Sequence, residues 1–255
     1  MAAPDRMISV LRLFTLDKPS WTVEKAALAL EVSVSSAYRY FAALTEAGLL
    51  TSFASGHYVL GPAIIQYDRQ IQLTDPLLRV AKPVMAEMIR FAPPSSILLL
   101  CRMFRESVLC IHQLTEPGAE IRVSYERGRP MPLFKGATSK IILSYLPSRD
   151  LRRLYAVHQS EIAEAGLGED WEIFRKTMTK VRKLGHVISH GEVDPERIGI
   201  AVPILDDRSR ILGSLSYVIA ASEERAVARL VSLAAAAARE IEAGMQADFG
   251  TRIAA

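Results

Sequence analysis

Residues 33–48 read Ser-Val-Ser-Ser-Ala-Tyr-Arg-Tyr-Phe-Ala-Ala-Leu-Thr-Glu-Ala-Gly, and their spacing predicts a helix with two unlike faces. Val34, Ala37, Phe41 and Leu44 recur at i, i+3, i+7 and i+10 and form one apolar stripe. The opposite face carries Ser35, Ser36, Arg39 and Tyr40, with Tyr38 at its edge. Ser33 is placed to cap the helix, and Gly48 is the expected left-handed stop. Hydroxyls and a helix N-terminus suit phosphates, and an arginine suits a phosphate or a guanine edge. A helix of this diameter fits the major groove of duplex DNA.

Working upstream, Thr22 is expected to cap a second helix, Val23 to Leu30, with Glu24 in its first turn and Val23, Ala27 and Leu30 facing inward. Glu31-Val32-Ser33 makes the turn between the two helices. Residues 6–14 read as a short first helix whose Met7, Val10, Leu11 and Phe14 share a face, broken by Asp17-Lys18-Pro19-Ser20. Three such helices can bury their stripes against one another. Downstream, Leu49–Phe53, Ala54-Ser55-Gly56 and His57–Leu60 read as strand, turn and strand. The hairpin is a candidate wing. Residues facing DNA would then be Thr22, Val34, Ser35, Ser36, Tyr38, Arg39, Tyr40, Gly56 and His57.

Residues 63–73 look like a helical connector, and Asp75-Pro76 restarts the chain into an amphipathic helix that ends before Pro93-Pro94. The remainder mixes helices and strands. Strands are predicted at Ser96–Phe104, Ser107–Thr115, Ile121–Glu126, His186–Glu192, Gly199–Leu205 and Ile211–Ala220. Helices are predicted at Gly136–Leu146, Arg149–Val157, Asp170–Leu184 and Glu223–Met245. The short Arg105-Glu106 turn makes the sheet at least partly antiparallel. The expected division is a winged helix-turn-helix in 1–61, a linker helix in 62–74 and a second domain in 75–255. The fold class is α+β.

Composition sets limits. The net charge is +3, yet residues 1–75 carry six Lys or Arg against seven Asp or Glu. DNA affinity rests largely on neutralised phosphates, so the pattern of side chains and not the net charge has to support a nucleic-acid partner. That balance also keeps open a winged helix that docks on protein. No apolar run is long enough to span a membrane, and the start lacks a signal-peptide layout, so the expected location is the cytoplasm. Two cysteines, Cys101 and Cys110, read as buried thiols, and no cofactor or metal site is expected. An enzyme of this fold would need a nucleophile and a base. Cys110 and His112 are two apart in a predicted strand, which would put both on one face. His186 and His190 are four apart, also in a predicted strand, and so share no helical face. Neither a nucleophile elbow, a P-loop nor a His-x-x-x-His metal helix is present.

The run Ser35-Ser36-Ala37-Tyr38-Arg39-Tyr40-Phe41-Ala42-Ala43-Leu44, then Glu46-Ala47-Gly48-Leu49-Leu50 and Tyr58-Val59-Leu60-Gly61, resembles the DNA-binding domain of the IclR family of bacterial transcriptional regulators. Ala37, Tyr40 and Phe41 stand where aliphatic residues are usual. Arg129-Pro130-Met131-Pro132-Leu133-Phe134-Lys135-Gly136-Ala137-Thr138-Ser139-Lys140 resembles a second family segment. Gly191-Glu192-Val193-Asp194, Gly199–Ile204 and Gly213–Ser216 resemble its closing pattern. Phe134-Lys135-Gly136 and Ser139 depart from the family, so ligand identity does not transfer.

The resemblance implies a GAF-like effector-binding domain and a homodimer or dimer of dimers on a pseudo-palindromic operator. It implies that the amides of Ala137 and Thr138 hold an anionic ligand group at a helix N-terminus. Gly199, Ser216 and Val218 match positions on the facing strands. Ser189 stands where an acid often meets the ligand, and its neutrality favours a carboxylate. Arg127, Arg129 and Lys135 flank the segment and would attract an acidic metabolite, with Arg129 taken as an effector contact.

Overall fold

The computed structural model describes residues 3–54, 56–115 and 123–253, with side-chain surroundings from residue 5 to residue 247 within those ranges. The chain divides into two compact units, Met1–Asp75 and Pro76–Ala255.

The first unit contains α1 (Ala3–Ser9), which tightens into a 3-10 turn over Val10–Leu13, then β1 (Trp21–Thr22), α2 (Val23–Ala29) and α3 (Val34–Glu46). It continues with β2 (Leu50–Ala54), β3 (His57–Leu60) and α4 (Ala63–Thr74). The expected caps are in place. Thr22 Oγ1 accepts the Lys25 N–H, and Ser33 Oγ accepts the Ser36 N–H. Gly48 follows α3 at φ +69°. Val10, Trp21, Val23, Ala26, Ala27, Ala37, Phe41, Leu44 and Leu50 form one core.

Sequence patterning missed β1, because two residues carry no period. β1 pairs with β3, Trp21 opposite Tyr58 and Thr22 opposite His57, making the wing three-stranded in the order β1-β3-β2. Two positions on α3 also differ from expectation. Val34 was placed in the apolar stripe and is 46 % exposed, because it lies in the first turn, beyond the reach of the core. Tyr40 was placed on the outer face and is half-buried against the core.

The second unit is a six-stranded antiparallel sheet between two helical layers. Its strands are β4 (Ile97–Phe104), β5 (Ser107–Thr115), β6 (Pro130–Met131), β7 (Val187–His190), β8 (Arg197–Leu205) and β9 (Ile211–Ala220), in the order β6-β5-β4-β9-β8-β7. On one face, α5 (Pro76–Met88) and α10 (Val227–Ile253) pack on Leu98, Leu100, Ile198, Ile200, Val202, Ile204, Leu215, Tyr217 and Ile219. On the other, α6 (Ala137–Ser144), α7 (Ser148–Val157), α8 (Gln159–Glu164) and α9 (Trp171–Leu184) cover Ile97, Leu99, Cys101, Ala201 and Val218. Burial on both faces explains the unbroken apolar run Ile97–Cys101 in the central strand β4.

Three sequence expectations are corrected. The strand over Ile121–Glu126 is absent across 123–126, while 121–122 lie outside the described residues. The Ser124 N–H donates to the Asp194 carboxylate instead of to a neighbouring strand. A single bridge, Cys110 with Arg127, marks the return to the sheet. The short helix α8 was not predicted. Finally, Cys110 and His112 do not share a face. A bulge sets Cys110 opposite Cys101 and His112 opposite Leu100, whose side chains belong to cores on opposite sides of the sheet.

Candidate DNA-reading face and effector pocket

On α3 the buried stripe of Ala37, Phe41 and Leu44 forces the remaining positions outward. Ser35, Tyr38 and Arg39 are exposed and Ser36 is half-exposed. These side chains are ordered by one another. Ser33 Oγ donates to Ser36 Oγ at 2.9 Å, and Arg39 Nη2 donates to the same Ser36 oxygen at 3.3 Å. Ser33 and Ser35 hydroxyls lie 3.2 Å apart. The Tyr38 hydroxyl donates to Glu24 Oε1 at 2.7 Å, tying α3 to α2. That bond lowers the Glu24 carboxyl below its ordinary value and raises the Tyr38 phenol above its own.

The wing is held to this helix by aromatic packing. The Phe41 and Tyr58 rings meet edge-to-face with centroids 4.9 Å apart. Thr22 connects both parts, since its side chain caps α2 while its backbone pairs with His57. Gly56 is exposed at the wing tip and His57 is half-buried on β3. Beside them a bulge between Ser52 and Ala54 leaves Phe53 81 % exposed. Ser35, Ser36, Tyr38 and Arg39 therefore share the outward part of α3, and Tyr38 reaches α2 two residues beyond Thr22.

In the second unit, a cavity of about 20 Å³ is lined by Tyr125, Ala137, Thr138, Ser189, Glu192, Val193, Asp194, Arg197, Gly199 and Val218. That volume holds one water. Five residues expected from the family pattern, Ala137, Thr138, Ser189, Gly199 and Val218, converge on it. Ser216 lies behind them, where its hydroxyl accepts from Thr138 Oγ1 at 3.0 Å. Arg129 is exposed in the turn before β6 and is not part of the lining.

The backbone around this cavity depends on two glycines. Gly136 precedes α6 at φ +79°, and a Cβ there would meet the Tyr125 hydroxyl at 1.9 Å. Position 136 thus has both a conformational and a steric reason to be glycine. A Cβ on Gly199 would come within 2.8 Å of Ser189 Oγ, so the bare backbone of β8 is what lets β7 and α6 approach. Ser189 Oγ then accepts the Ala137 N–H at 3.0 Å.

Five lining residues were missed by sequence reasoning: Tyr125, Glu192, Val193, Asp194 and Arg197. Glu192 Oε2 accepts the Gly136 N–H at 2.9 Å while its Oε1 accepts from Lys140 Nζ at 2.6 Å. Asp194 takes three hydrogen bonds from Ser124, two from its N–H and one from its hydroxyl at 2.7 Å. Tyr125 is buried, which raises its phenol well above the ordinary range, so it remains a protonated donor. The available signal was two acids in Glu192-Val193-Asp194 directly after a glycine between two strands.

Loop 132–136, which leads into α6, leans on a histidine. The Phe134 ring packs 5.4 Å from His158, whose Nδ1 pairs with Glu161 at 2.7 Å and whose Nε2 pairs with Glu106 at 3.3 Å. The Glu161 hydrogen bond raises this histidine above its ordinary 6.5, Glu106 adds to it and desolvation opposes it. A raised folded value means the contribution is complete below the unfolded value and is lost as pH rises through the folded one. The difference in urea stability between wild type and His158→Gln should therefore shrink as pH is raised from about 6 to about 8. Because both glutamates are more than half exposed, added salt should shrink it too. A difference that grows with pH would remove the histidine clamp.

A helix pair with an outward polar face, joined to a wing and followed by a domain with a small pocket at a helix N-terminus, defines a two-domain DNA-binding regulator. The comparisons with known proteins agree. The profile described as "Bacterial transcriptional regulator IclR C-terminal" matches residues 73–243, and the "IclR helix-turn-helix domain" matches residues 3–52. The chain belongs to the IclR family of bacterial transcriptional regulators. It is 27 % identical over 213 residues to the HTH-type transcriptional regulator KipR of Bacillus subtilis, covering 83 % of each chain. An IclR transcriptional regulator from Alicyclobacillus acidocaldarius has the same fold, with a TM-score of 0.75 at 22 % identity over 95 % of this chain and 98 % of that one. An IclR homolog from Microbacterium hydrocarbonoxydans, solved in complex with 4-hydroxybenzoate, gives 0.73 at 20 % identity over 96 % and 100 %. Among the described residues no helix is long and apolar enough to cross a membrane.

Proposed function

We propose that this regulator binds a pseudo-palindromic operator as a homodimer or dimer of dimers in the cytoplasm, and that a small organic acid in the α6 pocket controls that binding. The observation that carries the reading is the exposed Ser35, Ser36 and Arg39 face on a helix whose other face is buried. The contacts would be made by Thr22, Val34, Ser35, Ser36, Tyr38 and Arg39, with Gly56 and His57 on the wing; half-buried Tyr40 supports the helix. Two-fold symmetry would place two such helices about one turn of DNA apart. Exposed Ile64, Tyr67 and Ile71 recur at i, i+3 and i+7 on α4, which suits a seam with a second copy.

An aromatic or aliphatic monoacid fits the pocket chemistry: amide donors at a helix N-terminus, Lys140 nearby and the apolar surfaces of Val193 and Val218. The bound 4-hydroxybenzoate of the Microbacterium protein supports that class. The enzyme reading loses its dyad, because Cys110 Sγ donates to the His112 carbonyl and the imidazole belongs to the other face.

Operator binding followed by fluorescence anisotropy, with and without a panel of small acids, tests the proposal. Thr138→Val removes the donor to Ser216 in the pocket wall. It should weaken the effective acid about tenfold while leaving operator affinity within about twofold. Unchanged acid affinity by calorimetry would remove Thr138 from the site.

A further inference from the structure

The anion seat at the start of α6 is already filled by the chain's own side chains. Gly136 N–H donates to Glu192 and Ala137 N–H donates to Ser189. What remains beside them is room for one water. A carboxylic acid of any size cannot enter without moving something. We propose that Glu192 is a tethered competitor whose carboxylate holds the effector's seat, so that the strap 191–196 must lift before a ligand carboxylate replaces it. This rests on the reading that the effector binds at α6.

The strap is fastened at two points. Glu192 grips α6 through Gly136 and Lys140, and Asp194 grips Ser124. The Glu192 and Lys140 side chains are only 30 % and 13 % exposed, so removing the carboxylate alone would leave a poorly hydrated ammonium. An incoming carboxylate restores that pairing; a neutral ligand does not. The exchange therefore selects monoacids over their amides. The strap also has a route outward. Gly191 N–H donates to the Arg197 carbonyl, Ala221 N–H donates to the Glu196 carbonyl, and Arg197 Nη1 donates to the Ser95 carbonyl. Lifting it would disturb the segments that open β4 and lead into α10. By this device the strap sets how much acid is needed for a response, since affinity is reduced by the fraction of time the seat is self-occupied.

The test uses the full chain as wild type, Glu192→Gln and Glu192→Ala. Amide exchange needs no ligand: the hydrogen-bonded amides of Gly136, Gly191 and Arg197 should exchange about tenfold faster in Glu192→Ala, with β4 and β5 unchanged. Calorimetry with benzoate, 4-hydroxybenzoate and benzamide should show the two acids binding Glu192→Gln about tenfold more tightly than wild type, and benzamide gaining nothing. Unaltered exchange at Gly136 and the strap, or weaker acid binding in Glu192→Gln, would overturn the proposal. If Thr138→Val weakens the acids and Glu192→Gln leaves them unchanged, the strap idea fails and the pocket stands. If wild type, Thr138→Val and Glu192→Gln all bind them equally, the pocket reading itself fails.

Discussion

Replacing Phe41 with alanine should unfold or nearly unfold the DNA-reading unit while the effector domain stays folded. Phe41 is 1 % exposed at the centre of a core of nine buried residues, and it supplies the edge-to-face contact that holds Tyr58 of the wing. Truncating a buried phenylalanine typically costs about 3–5 kcal/mol, the lost transfer energy plus the cavity left behind. A unit of this size has a total margin on the order of 4–11 kcal/mol. The melting temperature of that unit should fall by roughly 12–40 °C. Trp21, 6 % exposed in the same core, reports it by fluorescence in a Trp171→Phe background. Operator binding should vanish at temperatures where Trp21 is exposed. A Trp21 transition that stays at the wild-type temperature would mean that α3 is not held by this core.

Arg39→Ala should leave the fold intact and weaken operator binding by about 1–3 kcal/mol, roughly fivefold to 150-fold. Arg39 is exposed and donates to the Ser36 hydroxyl at 3.3 Å, so little stability depends on it. Its electrostatic share is large for a different reason. Residues 1–75 have only six cationic side chains against seven acids, so each cation near DNA counts for more than in a basic domain. Two outcomes separate its roles. If Arg39 reads a guanine, the loss is confined to sequences that carry it; if it meets a phosphate, the loss is uniform and the salt slope falls by about one. Arg39→Lys keeps the charge and loses the bidentate fork, so it should rescue the phosphate role only. Full affinity in Arg39→Ala would take this helix out of the groove.

Much of the fold was legible because both units follow local rules. The caps at Thr22 and Ser33, the stripe through Ala37, Phe41 and Leu44, and strands such as Ser107–Thr115 and Ile211–Ala220 announce themselves by residue type and spacing. Apart from the short helix α8, the misses come from long-range pairing and register that no local pattern encodes. Ser124 gives its N–H to Asp194, seventy positions away, and the expected strand is lost. Trp21 and Thr22 become a strand only because Tyr58 and His57 return beside them. The bulge in β5 adds one residue and turns His112 away from Cys110. In the pocket, the family pattern led to Ala137, Thr138, Ser189 and Gly199, the positions set by small size and backbone approach. It did not lead to Glu192 and Asp194, whose carboxylates meet partners 56 and 70 positions away in sequence.

The most direct test is the affinity of the full chain for a genomic duplex that it selects, measured by anisotropy beside a scrambled duplex at about 50 and about 200 mM salt. Readout by α3 predicts tighter binding to the selected duplex at both concentrations, a steep fall with salt for each, and weaker binding to the selected duplex in Arg39→Ala. Equal affinity for the two duplexes, or affinity indifferent to salt, would contradict it.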